Sequence, residues 1–130
     1  MRKLIRLKMK DNEIVKFLEE TWMELNESKF ESSLKKCPKF SITSKELFLA
    51  AYYFEVSPKN NIVGTKIIIS KKLFFKSKKK VFLDAFLHEM AHQYCVEVLG
   101  FKEEEHGPIW KMICRAVGAV PSDKCLWVIK

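Results

Sequence analysis

Three histidines and one glutamate are the residues of this chain whose types and spacing can do chemistry together. His88-Glu89-Met90-Ala91-His92 is an H-E-x-x-H motif. On a helix, residues four apart lie one above the other on one face. Both imidazoles can then reach a single metal ion, with Glu89 offset toward a metal-bound water. Zinc in such a site lowers the pKa of its water toward ~7 and polarises the scissile carbonyl, while the glutamate moves the proton from water to leaving amine. The arrangement is that of a zinc hydrolase.

Catalytic zinc takes three protein ligands and keeps a fourth position for water, so the motif alone is an incomplete site. The metzincin pattern would place glycine at 95 and histidine at 98, where the chain has Cys95 and Val98, and that class is excluded. A glutamate ligand from Glu103, Glu104 or Glu105 is one option. His106 is the better one. It follows His92 by fourteen residues, across a helix end and a loop long enough for the chain to reverse, and it precedes the helix-start pair Gly107-Pro108. The chain has three histidines, and this assignment uses them all. The oxyanion needs a further donor, for which Tyr52, Tyr53, Tyr94, Lys111 and Arg115 are open choices.

These residues have to be positioned by the elements around them. Ile5, Leu7 and Met9 alternate with basic residues, as in a short strand. Ile14 or Val15, Leu18, Trp22 and Leu25 recur at helical spacing, which predicts an amphipathic helix from Asp11 to about Leu34, stopped with the help of Pro38. Phe40–Thr43, Leu47–Val56 and Ile62–Ser70 have strand character, with helix a second option for Leu47–Val56 and a turn cluster over Ser57–Asn61. They predict an antiparallel meander of three to four strands. A helix over about Lys78–Leu99, capped by Ser77 and ended by a left-handed Gly100, carries Val81, Ala85, His88, His92, Cys95 or Val96 and Leu99 on an inward face. Pro108 opens a second short helix with Trp110 and Ile113 on its apolar side, ending near Gly118, before a tail over Cys125–Lys130 that is irregular or a last strand. The expected fold class is α+β, in one domain spanning residues 1–130.

With 130 residues, 48% of them hydrophobic, the chain can bury a real core. Its net charge of +8 is uneven: residues 36–80 carry +9 and residues 11–35 carry −4. The base is nearly all lysine, which suits phosphate contact better than the reading of base edges. Lys71, Lys72, Lys76, Lys78, Lys79 and Lys80, with Phe74 and Phe75 among them, could form a sequence-blind surface for DNA, with the aromatics stacking on unpaired bases. Cys37, Cys95, Cys114 and Cys125 contain no C-x-x-C pair and read as free thiols of a reducing compartment. With no signal-type apolar region and no run of ~18 apolar residues, the expectation is an intracellular, cytoplasmic protein.

The run His88-Glu-Met-Ala-His92, a short spacer and then Glu105-His-Gly-Pro-Ile-Trp110 with a helix behind it resembles the SprT-like metallopeptidases, the family of the Spartan-type proteases of DNA–protein crosslink repair. The later segment is the more specific part, and the likeness extends loosely over residues 11 to 118. It implies a small zincin-like domain, one Zn2+ held by His88, His92 and His106, Glu89 as catalytic acid and base, and a protein substrate that is DNA-bound or crosslinked to DNA. Many members carry a four-cysteine zinc ribbon after the protease domain, and these residues contain no such spacing, so ribbon-borne DNA binding is not implied. The alternative is a non-catalytic module in which zinc staples the fold and the lysines bind nucleic acid. Structural zinc favours four ligands and cysteine, which weighs against it.

Overall fold

The computed structural model of the protein describes residues 9–45, 48–102 and 105–122. Helix α1 spans Asp11–Phe30 and buries Ile14, Leu18, Trp22 and Phe30 along one side. Asp11 and Glu13 suit the positive end of the helix dipole, and the Glu13 carboxylate accepts the Lys10 main-chain N–H at 3.0 Å. The helix stops at Phe30, short of Leu34 and well before Pro38. Glu31 and Ser32 turn left-handed, with φ of 52° and 60°. The buried Asn26 then clamps the reversed chain, donating to Leu34 O at 2.9 Å and accepting from Leu34 N at 3.1 Å. A side chain inside the helix thus makes the stop, a signal that periodicity does not carry.

Strands β1 (Lys39–Thr43), β2 (Ala50–Val56) and β3 (Ile62–Ser70) form one sheet in the order β1-β3-β2. β2 and β3 are antiparallel through the Ser57–Asn61 turn, but β1 runs parallel to β3. This corrects the antiparallel meander: the sheet is mixed, with the isoleucine-rich β3, whose Ile67 and Ile69 side chains fill the core, between β1 and β2 among the described residues. The strand suggested near the N-terminus and the tail over 125–130 lie outside the described residues.

After β3 the chain forms a short helix, α2 (Lys71–Lys76), capped by the Ser70 hydroxyl, which accepts from Leu73 N at 3.0 Å. Ser77 closes α2, its hydroxyl donating to Leu73 O, and does not cap the next helix as expected. Helix α3 (Lys79–Gln93) continues as a π-helical turn over Tyr94–Val98, and Gly100 follows with φ 77°. The expectation of one inward face on α3 is too narrow. Every residue from Ala85 to Ala91 is buried, because α3 passes through the middle of the molecule, and the exposed Leu99 lies beyond that stretch. Stacked Phe40 and Phe86, then Phe82, Phe74 and Phe17, link β1, α3, α2 and α1 in one chain of ring contacts. Helix α4 (Pro108–Val117) starts with Pro108 after the N-cap Gly107 and ends at Gly118, whose φ is 84°. Cys95 and Cys114 are buried free thiols, and burial pushes the Cys114 thiol up to about 12. Among the described residues no helix is long and apolar enough to cross a membrane.

Candidate functional site

Helix α3 carries the buried His88 and Glu89 and the half-buried His92, and the loop before α4 brings His106 back toward His92. His92 Nε2 and His106 Nε2 lie 3.2 Å apart. That spacing lets one ring donate to the other. It also suits two nitrogens on a single tetrahedral ion with bonds of about 2.0–2.1 Å. Burial, then the neighbouring His106 and His88, hold the His92 imidazole down to about 3, so the ring is neutral, the state a metal ligand requires. His106 itself is exposed.

His88 is placed differently. Its Nε2 is 2.5 Å from Val120 O and 3.6 Å from Asp84 Oδ2, and Asp84 Oδ1 in turn accepts the Val120 main-chain N–H at 2.8 Å. The ring is therefore held by a strap from the segment after α4. Burial lowers the His88 pKa, with Asp84 and the Val120 carbonyl opposing that effect. Two of the three expected nitrogens thus converge, while the Nε2 of the third faces the strap. Among the described residues no group of three His, Cys, Asp or Glu side chains is arranged to hold a metal ion. Glu103 and Glu104 fall outside the described residues, and Glu105 is exposed at the cleft rim.

Trp110 organises all three rings. Its indole stacks on His92 at 5.0 Å, meets His88 and His106 edge-on at 5.2 and 4.8 Å, and donates from Nε1 to the main-chain oxygen of His88 at 3.2 Å. In sequence it reads as an apolar helix residue. Its place four residues after His106 is the signal that points to the site.

Glu89 is fully enclosed, and burial raises its carboxyl from 4.5 to about 8, opposed only in part by a hydrogen bond from the Tyr52 main-chain N–H. It lines a cleft of about 270 Å³ together with His92, His106, Glu105, Lys102 and the β2 residues Ala50, Ala51, Tyr52 and Phe54. A larger hollow of about 760 Å³ lies between α1, α3 and the end of α4, and His88 and Asp84 border it. The smaller cleft is the one that holds Glu89 and both converging imidazoles. Of the five donors considered for an oxyanion, Tyr52 alone lines this cleft. Tyr53 and Arg115 point to solvent, and Tyr94 packs on Phe30 at 5.9 Å. Lys102 also lines the cleft, at a position that no spacing rule marks.

The lysine-rich segment occupies α2 and the start of α3. Lys76, Lys78, Lys79 and Lys80 are exposed, whereas Lys71 and Lys72 are half-buried and Lys71 pairs with Asp11 at 3.5 Å. Phe74 is fully buried and Phe75 packs edge-on against it at 5.2 Å. Stacking of bases on Phe74 is therefore ruled out, because α2 turns its apolar side into the core.

The fold is α+β, with the H-E-x-x-H segment on a helix that faces a cleft beside β2. The family model described as SprT-like matches residues 18–126, and the chain belongs to the SprT-like family, whose domains are typically zinc-dependent. Comparison with curated proteins gives no match.

Proposed function

We propose that the protein is a zinc-dependent endopeptidase, with His88, His92 and His106 as ligands and Glu89 as the general acid and base. The observation that carries this reading is the meeting of His92 and His106 at 3.2 Å beside the buried Glu89. A ligating imidazole keeps its other N–H on a carbonyl or carboxylate, and Val120 O with Asp84 offers His88 such a partner. Zinc, when bound, supplies an activated water and a Lewis acid at the cleft. The chain's own residues do the rest. Glu89 takes and returns the proton, Trp110 fixes the rings, and the outer edge of β2 gives an extended peptide main-chain groups to pair with.

DNA-bound or DNA-crosslinked protein is the proposed substrate class. Lys78, Lys79 and Lys80 crowd the positive end of the α3 dipole, an unfavourable placement that a polyanion would relieve. They stand about 12 to 15 Å along the helix from His88, close enough for bound DNA to present an attached protein to the cleft. The contact uses charge alone, since Phe74 is buried. The test is incubation of zinc-loaded wild type and Glu89→Gln with a protein crosslinked to DNA and with the same protein free. Wild-type cleavage that is faster on the crosslinked form and absent in the variant supports the reading; equal cleavage by both proteins refutes it.

A further inference from the structure

Glu89, Gln93 and Glu97 succeed each other at four-residue steps along α3 and its π-helical turn, and the last two have no part in the chemistry above. In a regular α-helix eight residues would leave Glu97 rotated by about 80° from Glu89. The π-helical turn over Tyr94–Val98, in which Leu99 N–H reaches back to Tyr94 O at 3.1 Å, winds more slowly and brings Glu97 back toward the same line.

All three side chains serve one wall of the cleft. Tyr52 of β2 donates its hydroxyl to Glu97 Oε2 at 2.8 Å, and the main-chain N–H of the same Tyr52 donates to the Glu89 carboxylate. Gln93 has no exposed surface. It accepts from Trp22 Nε1 at 2.8 Å, donates to Lys36 O at 3.0 Å and also hydrogen-bonds Glu97. Strand β2 is thus joined to the helix at two points through a single residue, and the second point is braced from α1.

Packing alone does not ask for this pair. A phenylalanine at 52 would fill the same space without burying a hydroxyl, and burial raises both the Glu97 carboxyl and the Tyr52 phenol above their ordinary values. A hydrogen bond between phenol and carboxylate does what apolar contact cannot: it fixes the distance between strand and helix.

We infer that Glu97 is a positioning residue, which through the Tyr52 phenol holds β2 against α3 and with it the main-chain N–H that aims the Glu89 carboxylate. The inference rests on the endopeptidase reading for its effect on rate and on the structure alone for its effect on Tyr52. Small displacements of a reacting group cost rate steeply. With zinc-loaded protein, Glu97→Leu and Tyr52→Phe lower kcat by roughly 10- to 100-fold at unchanged zinc content, and Glu97→Gln, which still accepts the phenol, recovers most of the loss.

The second readout needs no activity. In Glu97→Leu the Tyr52 amide, followed by NMR hydrogen exchange, exchanges roughly ten times faster than in wild type, while the Ile67 and Ile69 amides keep their protection. Unchanged Tyr52 protection overturns the inference whether or not the protein cleaves anything, as does a Glu97→Leu enzyme with wild-type kcat or a Glu97→Gln enzyme as impaired as Glu97→Leu. A wild type that cleaves nothing, with the exchange difference present, removes the endopeptidase reading and leaves the tie between Glu97 and Tyr52 standing.

Discussion

Replacing Glu89 by glutamine should stabilise the metal-free protein, and should do so more as pH rises. Glu89 is enclosed, and its carboxyl is raised from 4.5 to about 8, chiefly by desolvation. Between those two values the unfolded chain has lost the proton and the folded chain keeps it. Stability contributed by the protonated group is complete below the unfolded value and declines as pH rises toward the folded one. Each pH unit in that window costs about 1.4 kcal/mol, which amounts to about 1 kcal/mol at pH 5 and about 3 kcal/mol at pH 7. Glutamine has no proton to lose and escapes the penalty. The assay is urea unfolding of wild type and Glu89→Gln in the presence of a chelator, at several pH values between 4 and 8. The stability gap should widen across that range. A gap that is constant with pH would refute the claim that the cleft holds a desolvated carboxyl.

Three further outcomes follow from the same geometry. His106→Ala removes an exposed side chain and should leave the metal-free melting temperature nearly unchanged, yet abolish most of the zinc-induced stabilisation, which for wild type is about 2.7 kcal/mol at a hundredfold excess over Kd; thermal melts with added zinc check this. Asn26→Ala leaves Leu34 N and O without their clamp and should cost about 2 kcal/mol or more in urea unfolding, while a loss below about 0.5 kcal/mol would mean that the helix stop lies elsewhere. Replacing Lys78, Lys79 and Lys80 together by alanine should weaken binding of single-stranded DNA and flatten its dependence on salt, measured by fluorescence anisotropy at several ionic strengths.

The parts of the fold written in short-range patterns were legible. Apolar spacing located α1, α3 and α4, and Pro108 with Gly118 marked both ends of α4. Long-range relations were not legible. Nothing local says that β1 pairs with β3 in parallel, because pairing is chosen by which strand fills the core, and Ile67 with Ile69 makes β3 the centre. The end of α1 depends on Asn26 reaching Leu34, a contact between residues eight apart. At the site, His92 meets His106 at 3.2 Å and both share a cleft with Glu89. The strap holding His88 joins Asp84, one turn earlier on α3, to Val120, thirty-two residues after His88. The tie between Tyr52 and Glu97 spans forty-five residues and depends on a π-helical turn that changes which face Glu97 occupies.

Zinc coordination is the most direct readout of the proposed activity. X-ray absorption at the zinc edge of the loaded wild type should give one ion per chain with three imidazole nitrogens and one further oxygen at about 2.0–2.1 Å, the oxygen being water and the third nitrogen lost in His106→Ala. Four protein ligands in place of that open position, or failure to retain stoichiometric zinc, would contradict it.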